Sequence, residues 1–225
     1  MNLPSKGDYI DIHNHEGRSS PGHFSIENLM AHEQRVPDFI KGSAYTIGIH
    51  PWHLTSDTYN EQIEKVRTYA DHNNIIAIGE AGFDRLKGPD HDLQKKALEE
   101  QVAVSGEVSK PVFIHCVRSW DELLAVHKRM MPSKPWIIHG FRGKKELALQ
   151  LVSKGMYISF WFDFIIRPES ADLVRNIPPE RIFLETDGSW AKISDIYEKV
   201  SSDLGVEVED LKERIYKNFI ELFIT

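Results

Sequence analysis

The segment D-I-H-N-H, Asp11 to His15, puts two imidazoles two residues apart. Along an extended chain side chains alternate faces, so Asp11, His13 and His15 point the same way. Two imidazoles about 7 Å apart on one face can converge on a single metal ion. Four further apolar runs end in the same chemistry. A-I-G-E closes on Glu80, P-V-F-I-H on His115, W-I-I-H on His139 and F-L-E-T-D on Asp187. Apolar strands rarely end this way unless the polar groups are satisfied, because an unpartnered buried charge or imidazole is strongly destabilising. Two histidines, a glutamate, two more histidines and an aspartate make a natural ligand set for two cations, with one carboxylate free to bridge.

These groups need a scaffold that gathers strand ends. Strand candidates are 9–15, 44–50, 75–80, 111–116, 136–141, 156–162 and 182–187. Between them apolar residues recur at helical spacing: Ile63, Val66 and Ala70; Leu93, Ala97, Leu98 and Val102; Leu123, Val126 and Met130; Leu147, Leu151 and Val152. A last helix reads Leu211, Ile215, Phe219 and Leu222. Alternating strands and helices, with near-continuous apolar strands, indicate a parallel sheet covered by helices. In such a barrel the carboxyl ends of the strands form the ligand-binding face. The segment 17–42 breaks the pattern. It is polar and contains proline, and only 26–34 resembles a short helix. The expected fold is therefore α/β, a TIM-type (β/α) barrel, distorted or incomplete around its second strand. No linker or composition shift divides residues 1–225, which read as one domain.

Composition narrows the functional classes. Of 225 residues, 41% are hydrophobic and 27% charged, and 27 Lys and Arg against 34 Asp and Glu give a net charge of −7. That excludes a fibrous repeat or a disordered tail. The longest apolar-rich stretch, 155–166, carries Asp163, so no membrane span is expected. The start M-N-L-P-S-K-G-D lacks an apolar core for export. A single cysteine, Cys116, excludes an internal disulfide and fits a reducing, cytoplasmic setting. The acidic balance argues against constitutive tight binding of nucleic acid but leaves it open as a transient substrate.

The motifs D-I-H-N-H, G-I-H-P, A-I-G-E-A-G-F-D, P-V-F-I-H-C-V-R, I-H-G-F-R-G and L-E-T-D occur in that order, followed by a terminal N-F-I-E-L-F. From Tyr9 onward the chain resembles the TatD family of metal-dependent hydrolases, within the amidohydrolase-like barrels. The resemblance implies a distorted TIM barrel, a dinuclear metal site and hydrolysis of phosphodiesters, typically DNA. Carried over by position, His13, His15, Glu80 and Asp187 would hold one metal, and Glu80, His115 and His139 the second, with Glu80 bridging. The chain departs from the family at His50-Pro51-Trp52-His53, where the family shows H-P-H, so His53 stands in as the substrate contact. It is also shorter in 17–42 and after Asp187, where family loops shape the substrate cleft.

In such a site two divalent ions would activate water and polarise a phosphoryl oxygen. Asp187 is the expected general base, with Glu80 as the second catalytic carboxylate. Glu185, sharing the facing of Asp187, would orient a ligand imidazole, and Asp11 is open to the same role. Arg118 would grip a phosphate, or else is a surface arginine at a helix start. His50 is expected to line the site rather than ligate, since six stronger candidates fill two metals. Mixed imidazole and carboxylate ligands favour Zn, Mn, Fe or Co over Mg. The expected partner is DNA or a small phosphodiester as transient substrate, with no stable protein partner. Two other readings stay open: a dinuclear hydrolase of another bond, such as a phosphomonoester or amide, and a metal-binding scaffold without catalysis. His23, His32, His72, His91 and His127 read as solvated, Cys116 as a packed thiol, and Trp52 and Trp190 as flanking the mouth.

Overall fold

Eight parallel strands follow one another in chain order within one sheet. They are β1 (Tyr9–Asn14), β2 (His23–Met30), β3 (Ala44–Gly48), β4 (Ile75–Asp84), β5 (Val112–Val117), β6 (Trp136–Ile138), β7 (Tyr157–Phe160) and β8 (Ile182–Leu184). Helices α1 (Tyr59–Ala70), α2 (His91–Val108), α3 (Trp120–Met130) and α4 (Lys145–Val152) connect the strands from β3 to β7. Helices α5 (Phe162–Ile165) and α6 (Ser170–Asn176) lead into β8, and α7 (Ile193–Leu204) and α8 (Val208–Phe223) follow it. This is the α/β fold of a (β/α) barrel. The structure is a computed structural model describing residues 3–15, 19–33 and 39–225. No described helix is long and apolar enough to cross a membrane.

The chain forms two compact units, one running from Asn28 to Trp136 and the other combining the N-terminal segment through Glu27 with 137–225. In the first, Tyr45, Ile47, Ile75 and Ile78 from the strands pack with Ile63, Val66 and Ala70 of α1 and with Ala97 and Val104 of α2. The 3.6-residue spacing of those helical positions puts them on one face, which is why α1 and α2 form where they do. Asp90 caps α2 by accepting the Leu93 N–H at 3.0 Å, and Ser109 ends it in the left-handed conformation.

In the second unit the edge of β1 is finished by a side chain. The Tyr197 hydroxyl from α7 accepts the Ile10 N–H at 3.0 Å and donates to the Ile10 carbonyl at 3.1 Å. A buried strand edge must find partners for its backbone groups, and here one phenol supplies both. Among the described residues no strand ladder joins β1 to β8, so the barrel keeps a seam.

Two expectations change. The segment expected to lack a strand contains β2, which pairs in parallel with β1 through Tyr9↔His23, Ile10↔Phe24 and Asp11↔Ser25. Residues 26–30 are thus extended rather than helical, and Gln34, the end of the expected helix, lies outside the described residues. Two of its buried positions, Ser25 and Asn28, are polar, which erases the apolar pattern of a buried strand. Pairing with β1 and the hydrogen bonds of the Asn28 amide supply what the pattern lacks.

The second change concerns β4, which continues to Asp84, so Glu80 sits inside a strand rather than at its end. Gly82 makes that continuation possible. Its φ is +149°, and a Cβ there would lie 1.9 Å from the His115 carbonyl oxygen on β5.

Candidate metal centre

Each unit holds its own cluster of imidazoles and carboxylates. In the first unit Glu80 is buried with Oε1 3.4 Å from His50 Nε2 and 3.5 Å from His115 Nδ1. Its other oxygen accepts from Asn28 Nδ2 at 3.1 Å, and Asn28 Oδ1 in turn accepts the Glu80 N–H at 3.2 Å and the Thr46 hydroxyl at 2.8 Å. The carboxylate is thereby aimed before any cation arrives.

Hydrogen bonds also choose the tautomers. His115 Nε2 donates to Asp84 Oδ2 at 3.2 Å, which leaves Nδ1 as the ligand atom. His50 Nδ1 accepts the Trp52 N–H at 3.0 Å, so Nε2 carries the proton and points at Glu80 as a donor. That makes His50 a support of Glu80. Asp84 also accepts the Trp52 indole N–H at 2.6 Å and, through Oδ1, the backbone N–H groups of Leu86 and Lys87 at 2.7 and 3.0 Å. Burial works against its charge, but donation from His115, Trp52 and Leu86 outweighs that and holds the carboxyl well below the usual carboxylate range.

In the second unit the loop after β8 meets the end of β1. Asp187 Oδ1 lies 3.3 Å from His15 Nε2 and 3.6 Å from His13 Nε2. His13 is fully buried, while His15 and Asp187 reach solvent. The His139 ring is 4.5 Å from that of His13. Its Nδ1 donates to Glu185 Oε1 at 3.3 Å, which makes Nε2 the nitrogen able to ligate. Glu185 therefore orients an imidazole as its position suggested. Its Oε1 also takes the Gly140 N–H at 2.6 Å, and its buried Oε2 has no hydrogen-bond partner among the described residues.

Asp11 does something else. Among the described residues it orients no imidazole but accepts the Thr186 N–H at 3.0 Å and hydroxyl at 2.6 Å, with Asn14 Nδ2 at 3.2 Å. Burial pushes its carboxyl up to about 6 against those hydrogen bonds. The clasp locks the residue before Asp187. Asp187 itself has φ +50° and donates its N–H to the His13 carbonyl at 3.0 Å. Such a conformation in a non-glycine residue costs about 1–2 kcal/mol and survives only where the surroundings impose it.

The donor chemistry fits divalent cations. His13, His15 and Asp187 form one group whose ligand atoms all lie within 4.8 Å of one another, and His139, Glu185 and Asp187 another. His50, Glu80 and His115 form a third, in the first unit. Neutral imidazoles with carboxylates, together with the unpartnered Glu185 oxygen, suit a pair of borderline transition ions.

Of the substrate candidates, Arg118 follows β5, exposed, at φ +53°. His53 lies outside the Glu80 cluster and stacks at 3.9 Å on His32, which is exposed. His91 likewise stacks on Phe83 at 4.6 Å and meets the Ser119 hydroxyl at 3.1 Å. Sequence reasoning missed Asn28, hidden in the unrecognised strand, and Asp84. The signal for Asp84 was present, since it ends A-I-G-E-A-G-F-D an even four residues beyond Glu80.

Comparison with known proteins places this architecture. Residues 23–224 match the family of TatD related DNases. The 3'-5' ssDNA/RNA exonuclease TatD of Pantoea sp. is 30% identical over 175 residues, covering 75% of this chain and 67% of that protein. The protein of the same name from Erwinia tasmaniensis is 31% identical over 150 residues, covering 64% of this chain and only 58% of its own length. YcfH of Escherichia coli K12, an uncharacterized metal-dependent hydrolase, is 26% identical over 220 residues, covering 90% and 79%. Among solved structures, the TatD homologue YJJV of E. coli superposes with a TM-score of 0.79 at 19% identity, covering 98% of this chain and all of that one. A TatD family hydrolase of Entamoeba histolytica gives 0.77 at 17%, covering 100% and 99%. This chain belongs to the TatD family of metal-dependent hydrolases.

Proposed function

We propose that the protein is a metal-dependent phosphodiesterase acting on DNA. The reading is carried by the carboxylate-backed imidazoles, His115 on Asp84 and His139 on Glu185, which are grouped with Glu80 and with Asp187 within their respective units. Its substrate comes from the relatives, two of which are named as ssDNA/RNA exonucleases. His13, His15, Asp187 and His139, with Glu80 and His115, would hold two divalent ions. Those ions supply the Lewis acidity that activates water and polarises a phosphoryl oxygen.

The chain's own groups do the rest. Asp187 is partly open to solvent, so its carboxylate can take the proton of an attacking water. Asp84 and Glu185 fix which nitrogen of each imidazole faces the site. His50 donates to Glu80 and keeps that carboxylate turned inward. Arg118, exposed beyond β5, supplies a fork for a substrate phosphate. A cytoplasmic setting fits the lone thiol.

The test offers the purified protein Mn, Zn, Co or Mg with single-stranded DNA, a small phosphate diester, a phosphomonoester and an amide, beside Glu80→Gln and Asp187→Asn. Diester cleavage abolished by both substitutions is the expected result. Turnover of the monoester or amide alone would reassign the bond, and metal uptake without any turnover would remove catalysis.

A further inference from the structure

The segment after β4 is built to hold one cation in place. Asp84 Oδ1 accepts the N–H groups of Leu86 and Lys87. Gln94 Nε2 ties the loop from α2, donating to the carbonyls of Asp84 at 3.0 Å and Pro89 at 2.9 Å, while Gln94 Oε1 accepts the Asp84 N–H at 2.8 Å. Gly88, at φ +91°, presses so close to Pro51 that a Cβ would lie 2.4 Å from its carbonyl oxygen. What this rigid loop presents is the Lys87 ammonium, 3.8 Å from the centre of the Trp52 ring. Trp52 is itself pinned by its bond to Asp84 Oδ2, the oxygen that orients His115, and its ring lies 5.8 Å from that imidazole.

Three arginines of the same unit behave differently. Arg85 pairs with Glu122, Arg67 with Glu100 and Glu107, and Arg129 with Glu99. Lys87 has no carboxylate partner among the described residues. In a chain of net charge −7, an exposed ammonium fixed on an aromatic face beside a ligand imidazole is kept for an anion. A π face attracts the cation while leaving its remaining N–H groups free, which a carboxylate partner would not.

Resting on the phosphodiesterase reading, we infer that Lys87, seated on Trp52, binds a phosphate of the substrate strand other than the one being cut. The indole seats Nζ on its own ring, outside the groups gathered at Glu80, so the ammonium meets the strand and not the reacting group. Lys87 thereby makes the protein prefer an oligonucleotide to an isolated diester.

Two measurements decide it. Anisotropy of a labelled single-stranded oligonucleotide reads binding by wild type, Lys87→Gln and Lys87→Arg over a range of salt. The kcat/KM values for that oligonucleotide and for bis(p-nitrophenyl) phosphate read selectivity. Lys87→Gln should weaken binding and oligonucleotide turnover roughly three- to tenfold and flatten the salt dependence by about 0.7 in log–log slope. The small diester should be unaffected, and Lys87→Arg should restore binding. Unchanged oligonucleotide binding and salt slope in Lys87→Gln overturns the inference, as does equal loss on both substrates. If wild type cuts neither diester, the phosphodiesterase reading falls, and the anisotropy arm still decides whether Lys87 holds a phosphate.

Discussion

The two clusters reach similar chemistry by different means. Around Glu80 and His115 the positioning is done by side chains: Asn28, Thr46, Asp84 and Trp52 form a chain of hydrogen bonds that settles each donor and acceptor. Around His13, His15 and Asp187 it works through the loop backbone, the left-handed Asp187 with its N–H on the His13 carbonyl, held by one side-chain clasp of Asp11 on Thr186. Only His139, backed by Glu185, follows the first pattern there. A side-chain lattice is vulnerable to isosteric changes that remove one charge or one proton. A backbone-set trio tolerates those better and is vulnerable to changes in what the chain can bend into.

The largest effect is expected of Asp84→Asn. The substitution keeps the shape and removes the charge that fixes the His115 tautomer, and partners of this kind typically contribute 10–100-fold in metal affinity. Calorimetric titration with Zn or Mn should show a loss of about that size, with the fold intact by circular dichroism. Full-strength metal binding in the variant would mean that His115 is held by something other than its carboxylate.

Thr186→Val strikes the second cluster from behind. It takes the hydroxyl from Asp11 and leaves a buried oxygen with one donor fewer, a loss of about 1–3 kcal/mol. The effect depends on pH with a definite sign. Asp11 has a raised carboxyl, so its contribution favours the folded state below the ordinary aspartate value and is lost as pH rises through about 6. The ionised form is the one that needs the Thr186 donor. The fall in Tm should therefore be greater at pH 8 than at pH 5, and an equal fall at both would show that Asp11 does not use that hydroxyl.

Both designs bear on what the sequence disclosed. Residues with chemistry at the ends of apolar strands were readable, because burial leaves few other reasons for a histidine after Trp136-Ile137-Ile138 or an aspartate soon after Ile182-Phe183-Leu184. The family resemblance then assigned them a common purpose. The supports were harder. Asn28 lies on β2, whose buried Ser25 and Asn28 look like loop residues until β1 lies beside them. Asp84 was in plain view within A-I-G-E-A-G-F-D, but its role depends on His115 and Trp52, both more than thirty positions away in the chain. Asp11 was read by its facing alone, which cannot tell an imidazole partner from the Thr186 that the fold delivers. Local patterns report faces and periods; partners are set by tertiary contact.

Gly188→Ala tests the backbone half of the comparison on a smaller scale. Gly188 has φ +66°, and an added Cβ would come within 3.2 Å of His15 Cδ2. The left-handed geometry alone costs an alanine about 1–2 kcal/mol. The methyl should also push His15 away from Asp187, so Tm and metal affinity should fall together. A variant that loses stability while binding metal as before would separate the loop from the ligands and weaken the claim that backbone sets this cluster.

The smallest effect concerns Cys116, which reports on the first cluster alone because it is the only thiol and follows His115 on β5. Alternation turns it away from the face that His115 uses. Burial pushes the thiol up to about 12, so almost no thiolate exists at pH 8 and the group is not a nucleophile there. Iodoacetamide at pH 8 should leave the native protein unmodified for hours and label it promptly in guanidinium. Native labelling that speeds up in Asp84→Asn but not in Gly188→Ala would show the two clusters loosening separately, as a lattice of side chains and a set of backbone angles should. Labelling that rises equally in both would mean that the two are mechanically one.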